Sequence, residues 1–251
     1  TRTLGRQGLN TAEMGFGCMG LNHHRGPAKD RNEMISVVHA AIDLGSTMLD
    51  TAEVYGPYTN EELVGDALVG RRNQVQLATK CGFKIGDPTG GLDSKPETIR
   101  LSLEGSLRRL KTDFIDLYYV HRIDPNVPIE DVALSMQRFK KEGKIRHWGV
   151  SEAGAETIRR AHAVEPLTAV QNEYSMWWRT VEADLFPALE ELGIGLVAYS
   201  PLGRGYLTGK IERNMSFSVN DNRAELPRFT KEAMEANQVV VDFIEQLAKE
   251  K

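Results

Sequence analysis

Short apolar runs and helical stripes alternate along this 251-residue chain, seven times without a break. The apolar runs fall at 14–18, 46–49, 75–79, 115–120, 144–150, 168–171 and 194–198. The stretches between them repeat apolar residues every three or four positions, as Met34, Ile35, Val38, Ala41 and Ile42 do, or Ile99, Leu103, Leu107 and Leu110. Such alternation predicts parallel strands covered by helices. Asp30 with Glu33, and Ser94 with Glu97, read as capping boxes that start two of the helices. Thr3-Leu4 and Thr11-Ala12, joined by Gly5-Arg6-Gln7-Gly8, read as a short hairpin ahead of the first core strand.

The spacing of the units fits a (β/α)8 TIM barrel with a short N-terminal β-hairpin, which typically takes about 250 residues. An open sheet sandwiched by helices is the fold alternative. Only seven units are legible, so the eighth β/α unit is expected to be missing from this chain. We therefore read 1–251 as a single barrel domain, incomplete at its C-terminus, and expect a longer natural chain. The last helical stripe, Val239, Val240, Phe243, Ile244 and Leu247, is expected to need apolar neighbours on both sides.

Composition narrows the function classes. The formal net charge is -4 and no Lys/Arg run exceeds two residues, so neither nucleic acid nor a membrane surface is an expected partner. No apolar stretch approaches the roughly 20 residues of a membrane span. Cys18 and Cys81 read as free thiols, and the chain as cytoplasmic. No HExxH or Cys/His cluster is present, so no metal site is expected. No GxSxG elbow is present either. Gly15-Phe16-Gly17-Cys18-Met19-Gly20 matches GxGxxG, but loop follows it where a dinucleotide fold needs a helix, so it reads as a tight turn. Gly205–Lys210 has the wrong spacing for a phosphate loop, and the sequon at Asn214 is frequent by chance.

The predicted strands end on groups that hydrogen-bond: Asp50, Lys80, His121, Ser151, Gln171 and Tyr199. Barrel enzymes place their chemistry at those ends. Tyr55 follows Asp50 by five residues. Singly, Asp50 could cap a helix, Lys80 sit in solvent and His121 be structural. Jointly, Asp50, Tyr55, Lys80 and His121 form a proton-transfer set. His23, His24, His39, His147 and His162 lack that context.

In order along the chain stand Asp50-Thr51-Ala52-x-x-Tyr55-Gly56, Lys80, Ile115-Asp116-Leu117-Tyr118-x-x-His121, Gly149-Val150-Ser151, Gln171-Asn172-Glu173-Tyr174-Ser175 and Tyr199-Ser200-Pro201-Leu202-Gly203-Arg204-Gly205. Together they resemble the aldo-keto reductases, with details similar to the bacterial and plant branch that includes perakine reductase. Glu152 departs from the family, in which many members carry Asn after the serine.

The resemblance implies reduction of an aldehyde or ketone by NADPH. Tyr55 would be the proton donor, Lys80 would lower its pKa, Asp50 would hold Lys80, and neutral His121 would orient the carbonyl. It also implies cofactor contacts from Gly17, Cys18, Met19, Asp50, Ser151, Gln171, Tyr199, Ser200, Pro201, Leu202, Gly203, Arg204 and Gly205. Tyr58, Trp177 and Trp178 are expected over the substrate. A second reading is an NADPH-binding regulatory subunit of the same fold with little turnover, as the potassium-channel β-subunits are. A sugar or phosphate-ester enzyme would need paired carboxylates at strand ends, and only Asp50 and Glu152 are expected there.

Overall fold

The computed structural model describes residues 1–23, 29–87, 90–212, 215–218 and 221–251. Strands β1 (Arg2–Leu4) and β2 (Leu9–Thr11) form the expected antiparallel hairpin. Seven parallel strands follow: β3 (Gly15–Gly17), β4 (Met48–Asp50), β5 (Gln76–Cys81), β6 (Ile115–Val120), β7 (Ile145–Ser151), β8 (Ala169–Glu173) and β9 (Gly195–Tyr199). The helices are α1 (Arg31–Asp43), α2 (Thr59–Ala67), α3 (Pro96–Arg109), α4 (Ile129–Lys141), α5 (Ala155–Val164), α6 (Val181–Leu192) and α7 (Lys231–Glu250).

The strands are bonded to one another in chain order from β3 to β9, with no reversal. An open doubly wound sheet reverses its order at a switch point, so this is barrel winding. The result is a nearly closed seven-stranded barrel. β3 and β9 stand at its two ends, and no eighth strand occurs among the described residues.

Period-two alternation splits the apolar residues into two cores. Leu9, Met48, Ala78, Leu117, Tyr119 and Ala169 fill the barrel interior, joined by Leu4 and Val197. A larger shell, including Leu49, Leu77, Tyr118, Trp148 and Val170, packs outward against the helices. The hairpin floors the barrel. At Gly5 a Cβ would lie 2.7 Å from the Gly193 carbonyl oxygen and 2.8 Å from the Gly195 nitrogen, and φ is +64°, so only glycine fits. The Arg6 amide donates to the Gly193 carbonyl at 2.8 Å. With that end closed, the carboxyl ends of the strands form the open face.

Three local expectations meet different outcomes. Asp30 caps α1, accepting from the Glu33 amide at 2.9 Å. The Ser94–Glu97 box does not form: α3 starts at Pro96 with Lys95 as its cap residue. Proline at the first helical position already removes one orphan amide, and the Ser94 amide goes to Asp124 instead, at 3.3 Å. On α7 the buried residues are Met234 and Val241, with Val240 and Ile244 packed against Tyr206, Leu207 and Phe229. Val239, Phe243 and Leu247 face outward, 68%, 58% and 43% exposed, so the stripe is covered on one side only.

α2 and α3 are joined by a buried ion pair. Glu61 is fully buried; its Oε2 accepts from Arg109 Nε at 2.6 Å and its Oε1 from the Thr79 hydroxyl at 2.6 Å. Removing the arginine strands the carboxylate in a dry site. Arg109→Ala is expected to cost about 3–5 kcal/mol of unfolding free energy in urea. A loss under about 1 kcal/mol, the level of a surface pair, would show that the Glu61 charge is not held by Arg109.

Candidate active site

The turn after β4 decides the position of the proton-transfer set. The Thr51 amide donates to Ala78 at 2.9 Å and the Glu53 amide to Lys80 at 3.3 Å, so the chain follows β5 past the end of β4. The Tyr55 amide then donates back to Ala52 at 3.1 Å, which reverses the chain and brings Tyr55 over Lys80. Asn60, fully buried at the start of α2, pins the turn. It donates to the Cys18 carbonyl at 2.9 Å and to Asn22 Oδ1 at 2.6 Å, and accepts from the Thr51 hydroxyl at 2.6 Å.

Asp50, Tyr55, Lys80 and His121 come together. Lys80 is fully buried. Its ammonium is bonded to Asp50 Oδ1, donates to the Thr51 carbonyl at 2.8 Å, and lies 5.2 Å from the centre of the Tyr55 ring. The Tyr55 and His121 rings stand edge to face at 5.8 Å. Gln171 donates to Asp50 Oδ2 at 2.8 Å, so this predicted cofactor contact is also tied into the set.

Burial alone would lower the Lys80 pKa, but Asp50 first and Tyr55 next outweigh it and raise the value above the ordinary one. Lys80 is therefore an ammonium at neutral pH. Burial raises Tyr55, Lys80 opposes it and Asp50 adds to it; the net shift is upward. The expectation that Lys80 lowers Tyr55 below an ordinary phenol is thus corrected: the ammonium offsets only part of the burial, and Tyr55 carries its proton. Burial first, then Lys80 and Arg122, push His121 well down, so its ring is neutral. His121 Nδ1 is buried with no hydrogen-bond partner among the described residues.

The other predicted positions flank this centre. Gly17 pairs in register with Asp50, and Cys18 and Met19 begin the turn after β3. Burial raises the Cys18 thiol to about 12. The Ser151 hydroxyl accepts from Arg122 at 3.1 Å. Burial and Glu152 raise the Tyr199 phenol. Glu152, at φ +55°, accepts from the Glu173 amide at 2.9 Å. β8 runs two residues beyond its expected end, so Glu173 also closes a strand, pairing with Arg228 and with Arg204 at 3.7 Å. After Ser200 (φ +51°) and the exposed Pro201 and Leu202, the chain turns through Gly203, Arg204 and Gly205 at φ +58°, +57° and +97°.

The three aromatics expected over the substrate are placed differently from one another. The Arg109 guanidinium lies 4.3 Å from the centre of the Tyr58 ring, on the flank of the barrel. Trp177 stacks on Tyr206 at 4.9 Å and presses on Gly203, where a Cβ would lie 2.8 Å from the indole. Trp178 lies beneath Arg228, 4.7 Å away.

Sequence reasoning missed two neighbours of the set. Phe83 meets His121 edge to face at 5.0 Å, and its position three residues after Lys80 was the available signal. The His23 ring lies 5.6 Å from Tyr55, and its Nδ1 accepts from the Gly56 amide at 3.0 Å. Pairing of β3 with β4 sets their loops side by side, which sequence periodicity does not reveal. His24 and Asn214 lie outside the described residues.

This geometry can be set beside known proteins. The model of the aldo/keto reductase family matches residues 13–251. The chain belongs to the aldo/keto reductase family. A glycerol dehydrogenase from Gluconobacter oxydans shares 35% identity over 94% of this reductase and 74% of its own length, with a TM-score of 0.86. An aldo-keto reductase from Bacillus halodurans, solved in its holo form, shares 30% over 96% and 82%, with a TM-score of 0.78. An aldo/keto reductase from Klebsiella pneumoniae, solved with NADP and acetate, shares 29% over 84% and 71%, with a TM-score of 0.70. Among the described residues of this reductase, no helix is long and apolar enough to cross a membrane.

Glu53, between Asp50 and Tyr55, is a buried acid whose pKa burial raises to about 7, with Glu61 adding to the shift and Ser102 and Arg109 opposing it. An unfolded glutamate titrates near 4.3. The folded state thus holds the proton more tightly, and the destabilisation is complete above about pH 7 and fades as pH falls toward 4.3. Relative to Glu53→Gln, the wild type should lose stability from pH 5 to pH 8, by up to about 3 kcal/mol. Melting curves of both proteins at the two pH values check it; parallel changes would mean Glu53 ionises as an exposed acid does.

Proposed function

We propose that this reductase converts aldehydes or ketones to alcohols with NADPH, and that Tyr55 donates the proton. The observation that carries the reading is a fully buried Lys80, fixed by Asp50 beneath the Tyr55 ring, with the His121 ring edge to face beside that ring. The described residues fit the cofactor. Arg204 Nε is buried with no hydrogen-bond partner among the described residues, although its guanidinium lies 3.7 Å from Glu173, and the left-handed backbone at 203–205 turns tightly beside it, a cradle suited to a diphosphate. Ser151, the last residue of β7, pairs in register with Gln171 of β8, so a hydroxyl and an amide stand side by side for a carboxamide. The reported complex of the Klebsiella pneumoniae relative with NADP supports the assignment.

NADPH, when bound, supplies the hydride. The chain's own residues handle the proton. As charge grows on the carbonyl oxygen, the Tyr55 hydroxyl gives up its proton to it. Lys80 stabilises the phenolate left behind, and Asp50 keeps the ammonium charged and aimed. Neutral His121 can donate from one ring nitrogen to the carbonyl oxygen and so fix its direction.

The test is NADPH consumption over a panel of aldehydes and ketones, with NADH run in parallel. Turnover of several carbonyls is expected. NADPH binding without turnover of any of them would favour the regulatory reading instead.

A further inference from the structure

A cavity of about 410 Å³ lies on the flank of the barrel, between Phe83, Lys84, Ile85 and Asp93 on one side and α3 on the other. That size accommodates a single-ring molecule. Glu53 lines it and is 4% exposed, and its Oε1 has no hydrogen-bond partner among the described residues. A buried polar atom left in that state calls for a partner. Tyr58, Phe83 and Leu101 supply flat and apolar walls.

The charge around the cavity selects the ligand. Asp93 lines it too, but Lys84, Arg108 and the Glu61-paired Arg109 outnumber the two acids, which disfavours a cation at Glu53. An anion would face the Glu53 carboxylate. A hydroxyl suits either form of the acid, since it both donates and accepts. Burial holds Glu53 near the pH at which both forms occur, at about 7.

We propose that this cavity is a second small-molecule site, distinct from the carbonyl site, that takes a neutral aromatic alcohol with its hydroxyl on Glu53. The inference does not depend on the catalytic reading. Its test uses 4-methylphenol, which has no carbonyl to reduce, titrated calorimetrically into the full chain. Saturable binding is expected. Thr98→Trp places an indole in the cavity from the half-buried face of α3 and should weaken binding at least tenfold, with carbonyl reduction unchanged. Glu53→Met should weaken it about tenfold as well, the loss of one hydrogen bond to a charged group. Should that variant fail to fold, Thr98→Trp alone decides. Absence of saturable binding, or equal affinity in Thr98→Trp, would overturn the proposal.

Discussion

Tyr55→Phe is expected to lower kcat for carbonyl reduction by about 10²–10⁴-fold, the range that one general acid supplies. NADPH affinity should stay nearly unchanged, since the lost hydroxyl serves the carbonyl oxygen. The fold should survive, because a phenyl ring keeps the edge-on contact with His121 and the position over the Lys80 ammonium. The upward shift of Tyr55 matters here. A phenol held above its ordinary pKa by burial is fully protonated at neutral pH, so the donor is loaded before each turnover. If Tyr55→Phe keeps more than a tenth of the wild-type kcat on several carbonyls, the proton comes from elsewhere. His121 would then be the next group to replace.

The sequence made some of this site legible and hid the rest for physical reasons. Asp50 closes β4, His121 directly follows β6 and Lys80 stands one residue before the end of β5, and a strand end is visible as an apolar run meeting a polar residue. Parallel winding then brings such ends together, so the set could be named before any contact was known. Fold class was legible for the same reason: the alternation that predicts β/α units also predicts their order around a barrel. What stayed hidden depends on loops. His23 reaches Tyr55 only because β3 lies beside β4, and Asn60 works by tying the turn at 18–22 to the loop after β4. The sign of the Tyr55 shift was also out of reach. Proximity to a lysine can be guessed from a motif, whereas the opposing cost of burial needs the packed structure. The stripe on α7 shows the same limit in another form, since periodicity marks apolar residues without saying which neighbour covers them.

Lys80→Met tests whether the lysine acts on the proton or only on the fold. Methionine keeps the length and most of the volume, so the fully buried position stays filled. Activity should fall by two orders of magnitude or more, because the phenol loses the charge that stabilises its conjugate base and becomes a weaker acid. Any remaining rate should hold to higher pH than in the wild type, since the Tyr55 pKa moves up when an opposing cation is removed. The single variant also leaves Asp50 without its cation, with Gln171 as its remaining donor among the described residues. That loss should destabilise the protein by about 3 kcal/mol or more. A double variant, Asp50→Asn with Lys80→Met, removes the stranded charge and should recover much of that stability. It should not recover activity. Recovery of both together would mean that Lys80 serves mainly to neutralise Asp50, and the proton-transfer role assigned to the pair would fall. Recovery of stability alone, with the alkaline limb still displaced upward, would separate the two roles: Asp50 fixes the charge, and the charge acts on Tyr55.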